Sequence, residues 1–314
     1  MSQKFDVKTV ISGIKPRRAI LYAPSMEMKK LEKAALLKEL DTVCFDLEDG
    51  VPATLKSAAR KNILEYLNKD SKVIPELAIR INSVDSEDSA FDLNEIMLNP
   101  VASKRIQTVI IPKVEDPEEV RYVSRWLRLN KATHAKILAM IETPLGLTRV
   151  SEICKSSPRV DGVIFGAEDY RSAAGIQRGS IEPVQYARSA IVAAARAAHI
   201  QAIDMTSTNF KDAEVVAKEA LSTRAYGFTG KQVIHPMQIK AVNKAFTPDE
   251  KEVKACKDLI TKFVITTYID GKGVFGSDGN MIELPHIADA CRRLMLAGLS
   301  VDAIQAIADA PLKK

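Results

Sequence analysis

Eight short runs rich in Val, Ile and Leu alternate with helical stretches through most of the chain, and no other feature limits its fold so sharply. The runs are Ala19–Pro24, Thr42–Asp49, Leu77–Asn82, Thr108–Lys113, Ile137–Thr143, Gly162–Tyr170, Gln201–Met205 and Ala225–Lys231. Several are apolar without alternation, the pattern of parallel strands buried on both faces. Between them lie expected helices at Met28–Leu40, Leu55–Leu67, Pro117–Leu129 and Pro183–Ala198. In the second of these, Leu55, Ala59, Ile63 and Leu67 recur every four residues as one apolar stripe. Eight such repeats in about 245 residues predict an α/β fold, a (β/α)8 TIM barrel over residues 17–247. Residues 248–314 are surplus to a barrel. They read as a helix (Glu250–Thr267), a glycine-rich loop (Gly271–Gly279) and a final helix (Pro285–Ala297). A C-terminal helical tail of this kind is expected to cover a mouth or reach a neighbouring subunit.

Composition narrows the function. The chain is 46% hydrophobic and 27% charged, enough for a sizeable core. Its net charge is 45 − 40 = +5, too small to bind nucleic acid by counterion release alone but suited to an anionic small molecule such as an acyl-coenzyme A. Cys44, Cys154, Cys256 and Cys291 are far apart, and His134, His199, His235 and His286 show no paired spacing, so zinc is disfavoured. No apolar run reaches about 18 residues, and Met1–Arg17 has no signal-like apolar core. The expectation is a cytoplasmic enzyme with reduced thiols and no membrane contact, with the mitochondrial matrix as the alternative.

Catalytic groups of a barrel sit where its strands end. Asp46, Glu48 and Asp49 end the second run, Arg80 and Asn82 the third, Lys113 and Glu115 the fourth, Glu142 the fifth, Glu168 and Asp169 the sixth, and Asp204 the seventh. So many acids in one mouth require a cation, and oxygen ligands without His or Cys point to Mg²⁺, with Mn²⁺ as the alternative. Arg80 and Lys113 would then hold an anionic substrate. A carboxylate after a strand is commonly a helix N-cap or a solvated loop residue, and Glu115, Asp116 and Glu168 are read so. Glu142 and Asp169 are assigned to function, because each closes an apolar strand. Gly271–Gly276 matches GxGxxG by letter but opens no helix, and Gly227–Lys231 is too short for a phosphate-binding loop. Lys15, Arg17, Arg18, Lys29 and Lys30 flank the first strand and together form a candidate diphosphate site.

Several segments carry a resemblance. They are Arg17–Pro24 (RRAILYAP), Asp46–Val51 (DLEDGV), Lys56 with Ala59-Arg60, Arg80–Asn82 (RIN), Ile111–Lys113 (IPK), Ile141–Thr143 (IET), Phe165–Asp169 (FGAED) and Gly227–Pro236 (GFTGKQVIHP). In this order they resemble the citrate lyase β-subunit-like family of the HpcH/HpaI aldolase superfamily, nearest to citramalyl-CoA and malyl-CoA lyases. The resemblance covers roughly residues 17–300. It implies a barrel, a homotrimer, Mg²⁺ on Glu142 and Asp169, and Arg80 as the grip on the oxo acid. It implies that Arg18 and Lys29 face coenzyme A phosphates, and that Asp46, Glu48 and Asp49 line the site, Asp46 touching substrate. It implies that Glu283, from a neighbouring subunit's tail, is the acid/base. Two positions depart from the family: Ser25-Met26 replaces the common Gly-Asn, and Glu283 stands where the citramalyl-CoA lyase branch has Asp.

The implied activity is reversible carbon–carbon cleavage of citramalyl-CoA or malyl-CoA to acetyl-CoA and pyruvate or glyoxylate. The alternatives are a malate synthase-like condensation with thioester hydrolysis, a citrate lyase β subunit acting on an acyl-carrier thioester, and a non-catalytic barrel protein.

Overall fold

Strands apolar on both faces cannot leave either side in water, and closing them into a ring covered by helices satisfies both. A computed structural model of the chain describes residues 5–11, 15–69, 71–177, 181–271, 275–277 and 280–313. Its strands are β1 (Ala19–Pro24), β2 (Thr42–Asp46), β3 (Glu76–Arg80), β4 (Thr108–Ile111), β5 (Lys136–Ile141), β6 (Val160–Phe165), β7 (Gln201–Asp204) and β8 (Gly230–Val233). They form a closed barrel in chain order, and β8 closes in parallel on β1 with Ile20 opposite Gln232. The expected (β/α)8 barrel is the observed fold.

Strand alternation sorts the side chains. Ile20, Cys44, Ala78, Ile110, Leu138, Met140, Ile164 and Ile203 fill the interior. Their neighbours, such as Val43, Phe45, Ile79 and Val109, are buried on the opposite side of the strands. Counting on in twos from the interior set reaches Asp46 from Cys44, Arg80 from Ala78, and Glu142 from Leu138 and Met140. The polar inward positions therefore collect at the C-terminal end of the barrel, above a dry interior.

The other end is sealed by Arg17, which is fully buried. Its guanidinium donates to both oxygens of Glu76 (2.6 and 2.8 Å) and to Asp161 (2.6 Å). The hydroxyls of Thr42 and Thr108 complete the acceptors of Glu76, each at 2.9 Å. Arg17 is thus a barrel plug and not a surface cation of a diphosphate site.

Three boundaries differ from expectation. The sixth strand ends at Phe165, and a helix starts at Ala167, so Glu168 and Asp169 occupy a helix's first turn. The eighth strand is Gly230–Val233, because the preceding helix Ala213–Ala225 runs to the point where Gly227 turns the chain at φ 97°. The seventh strand's Asp204 points outward, where Arg188 (2.5 Å) and the Thr223 hydroxyl (2.8 Å) satisfy it. It is a strand-to-helix tie and not a mouth residue.

The chain divides into a unit of residues 17–244 and a second unit of residues 1–16 with 245–314. The second contains helices Glu250–Val264, Leu284–Leu296 and Val301–Asp309 and the short helix Val7–Ile11. Phe5 and Val7 share its core with Ile260, Phe263, Ile287 and Ile304. The expected Gly271–Gly279 loop contains a strand, Phe275–Ser277, that pairs antiparallel with Asn280–Ile282. Residues 272–274 and 278–279 of that loop lie outside the described residues.

Candidate active site

The end of β2 and the loop after it, the ends of β3, β4 and β5, and the first helical turn after β6 bring seven charged side chains together. Arg80, 8% exposed, donates through Nε and Nη2 to the two oxygens of Asp46, both at 2.7 Å. Its Nη1 pairs with Glu48 at 2.8 Å, and its guanidinium lies 4.9 Å from the ring centre of Tyr22. Asp46 also accepts from the backbone N–H groups of Glu48 and Gly50, each at 3.0 Å. All four acceptor positions of its carboxylate are therefore in use. Asp46 positions Arg80 and shapes the loop. Gly50 permits this, since a Cβ there would stand 2.4 Å from an Asp46 oxygen.

Lys113 is the centre of the acidic side. Its Nζ reaches Glu48, Asp49 at 3.3 Å and Asp169 at 3.6 Å. Its backbone N–H donates to Glu142 at 2.8 Å. It holds φ at 52°, left-handed for a non-glycine residue, a strain tolerated where function fixes the backbone. Lys56 anchors the same loop from behind by donating to the carbonyls of Leu47 (2.7 Å) and Glu48 (2.8 Å).

The acids are differentiated. Burial, reinforced by the charges of Glu48 and Asp169 and opposed by Arg80, pushes Glu142 up to about 7. Burial also raises Glu48 against the pull of Arg80 and Lys113. At Asp49 burial is outweighed by hydrogen bonding with Glu48 and by Lys113 and Arg80, so its carboxyl is held low. Gly166 makes room for Glu142, because a Cβ there would meet the Glu142 carboxylate at 2.3 Å. Among the described residues no three His, Cys, Asp or Glu side chains form a ready metal cage. Glu142 and Asp169 are two carboxylates on one side, with Lys113 between Asp169 and Glu48.

A cavity of about 600 Å³ opens beside this cluster. Its floor includes Tyr22, Asp46 and Arg80, and its wall includes Lys30, Lys33 and His235. The Tyr22 hydroxyl is buried without a hydrogen-bond partner among the described residues. Lys30, Lys33 and Ala34 line the cavity at i, i+3 and i+4, one face of the helix Met28–Ala35, and Leu37 joins them from just past its end. Lys29 is one step off that face and does not line the cavity. Arg18 stands before β1 at the opposite end of the barrel, where its backbone and side chain hold Asp41 at 2.7–2.8 Å. The structure does not bring Arg18 to the mouth. Tyr22 and Gln232 lie opposite or beside residues of the interior register, a signal in the strand alternation that sequence reasoning left unused. Glu283 belongs to the second unit, where it is exposed and precedes helix Leu284–Leu296. Asp116 caps helix Pro117–Leu129 together with Glu119.

Residues 18–236 match the HpcH/HpaI aldolase/citrate lyase family. The chain belongs to that family. Mitochondrial citramalyl-CoA lyase of Mus musculus is 34% identical over 296 residues, covering 90% of this chain and 86% of its own. The citrate lyase subunit beta of Haemophilus influenzae is 33% identical, covering 87% of this chain and 94% of its own. A Mycobacterium tuberculosis protein CitE, solved with magnesium, acetoacetate and coenzyme A, is 27% identical with a TM-score of 0.68. That likeness covers 90% of this chain and 98% of CitE. As an HpcH/HpaI aldolase/citrate lyase member, the chain is a lyase. No described helix is long and apolar enough to cross a membrane.

Proposed function

We propose that this lyase cleaves a 3-hydroxyacyl-CoA bearing a carboxylate on its hydroxyl carbon, citramalyl-CoA or malyl-CoA, reversibly to acetyl-CoA and pyruvate or glyoxylate. The observation that carries the proposal is the buried Glu142, whose backbone and charge neighbours are Lys113, Arg80 and Asp169, in a cluster whose Arg80, Asp46 and Asp49 line a cavity walled by Lys30 and Lys33. A carboxyl this buried calls for a cation. Two carboxylates with open neighbouring space suit Mg²⁺, which commonly takes one or two protein carboxylates and fills its shell with water and substrate. Mg²⁺ or Mn²⁺ on Glu142 and Asp169 would act as a Lewis acid toward the oxo-acid oxygens.

The chain's own groups supply the rest. Arg80 is held rigid by Asp46 and Glu48, so its remaining N–H groups are preorganised for the substrate carboxylate and for charge developing on the hydroxyl oxygen. Glu48 and Asp49 are the local proton acceptors for the hydroxyl. Losing that proton breaks the bond to the methylene carbon and leaves an acetyl-CoA enolate. Glu283 of a neighbouring subunit in a homotrimer is the proposed donor to that carbon. Lys30 and Lys33 replace Arg18 and Lys29 as the groups for coenzyme A phosphates. The mitochondrial name of the 33–34% identical relatives supports the mitochondrial alternative.

The test is product identity. Each thioester is incubated with the purified protein and Mg²⁺, and acetyl-CoA with pyruvate or glyoxylate is expected. Free coenzyme A would indicate hydrolysis after condensation. The citrate lyase beta relatives favour one second reading, a subunit acting on an acyl-carrier thioester. Turnover of that thioester alone would establish it. No turnover of any thioester would make the barrel non-catalytic.

A further inference from the structure

At the barrel end opposite Glu142 lies a surface hollow of about 560 Å³ that the reaction does not use. Five cations line it, and no carboxylate does: Arg121, Arg125 and Arg128 from one helix, Lys136 at the start of β5, and Arg159 just before β6. The three helix arginines are spaced i, i+4 and i+7, which confines their stems to about 60° of arc. Like charges at this spacing oppose helix formation. Arg121 is offset by Glu118. Arg125, Arg128 and Lys136 have no ion-pair partner among the described residues.

The hollow is also built. Arg159 is anchored through Nη1 to the carbonyls of Thr133 (2.8 Å) and Ala135 (3.0 Å), which fixes its guanidinium at the rim. Ser124 and Ser157 bond each other at 2.8 Å across the hollow's two sides. Burial and the positive charge of Arg128 hold the Arg159 pKa below its ordinary value. One cation near a helix C-terminus is ordinary. Five around one concavity, of which only Arg121 pairs with an acid outside its lining, are complementary to several negative charges held close together.

We propose that this hollow is a binding site for a small polyphosphate, and that it reads the phosphate chain alone. No aromatic side chain lines it, so nothing is available to stack a base. Its size suits a small molecule.

Calorimetry with inorganic tripolyphosphate on the full chain, without metal, tests this. One saturable site per chain is expected, weakening as salt rises. Arg125→Gln with Arg128→Gln should weaken binding by roughly tenfold or more, since two direct charge contacts are lost. Lys30→Gln with Lys33→Gln, at the mouth cavity, should leave this binding intact. A nucleoside triphosphate should bind within a factor of about three of tripolyphosphate, because the base adds nothing. Circular dichroism and melting keep the comparison to folded variants. Absence of saturable binding, unchanged affinity in the arginine variants, loss in the lysine variants instead, or a clear preference for one base would each overturn the proposal.

Discussion

At the scale of single residues, the proposed chemistry turns on Glu142. Its pKa near 7 lies above its ordinary value of 4.5, so the folded, metal-free protein binds this proton more tightly than the unfolded chain. The resulting stabilisation is complete below about pH 4.5 and lost as pH rises through about 7, on the order of 3 kcal/mol. Denaturant unfolding of metal-free protein at pH 5 and 8 should show this contribution, and Glu142→Gln should remove it. The same proton competes with metal. Mg²⁺ affinity should fall about tenfold per unit below pH 7, and Glu142→Gln should abolish binding with the fold retained. Unchanged Mg²⁺ affinity in Glu142→Gln and Asp169→Asn would remove the proposed metal site. Arg80→Lys keeps charge but loses the fork that matches Asp46, so turnover should drop by roughly a hundredfold or more with near-normal coenzyme A affinity. Asp46→Asn leaves Arg80 short of buried charge and should cost about 3–5 kcal/mol in unfolding experiments. Arg80 and Glu142 stood out in the sequence because each lies where an apolar run stops, and Asp169 because it lies in the first helical turn after one. The saturation of Asp46 was not, because a carboxylate's partners depend on backbone N–H groups two and four residues away.

At the scale of elements, strand parity and helix phase decide which cations line the cavity. The helix that begins at Met28 turns Lys30 and Lys33 toward the cavity and leaves Lys29 about 40° beyond Lys33 and about 100° from Lys30, outside the cavity lining. Lys30→Ala with Lys33→Ala should raise KM for the acyl-CoA by roughly tenfold with kcat nearly unchanged, the mark of binding shared by ground and transition states, whereas Lys29→Ala should change neither. Equal effects from all three substitutions would mean that only general charge matters. The eight runs were readable because parallel strands carry an uninterrupted apolar signal. The helix phase was not, because a lysine next to a strand looks the same on either side. Arg18 shows the cost of that ambiguity: adjacent to β1 in sequence, it belongs to the end that Arg17 seals. Truncating that seal with Arg17→Ala would strand Glu76 and Asp161 and should cost about 3–5 kcal/mol, measured by chemical unfolding.

At the scale of the whole molecule, Glu283 carries the remaining question, because it belongs to the second unit and not to the barrel that bears Glu142. If subunits exchange tails, mixing Glu283→Ala with Asp169→Asn protein should partly restore activity that each lacks alone. Subunit exchange confirmed by mass, without recovery, would mean that each tail serves its own barrel. Glu283→Asp, which shortens the reach by one methylene, should keep or raise turnover. The tail was recognisable as surplus sequence. Its partnership with the chain's first residues was not, because nothing local links Val7 to Gln305, whose side-chain oxygen accepts from the Val7 backbone at 2.8 Å. That pairing has a consequence for synthesis. The barrel segment has left the ribosome's active centre once Lys244 is added, but Val7 must wait for a residue 298 positions later. At translation speeds of about 5–20 residues per second, the Val7 segment spends roughly 15–60 s without its native partner. During that time it is open to chaperones.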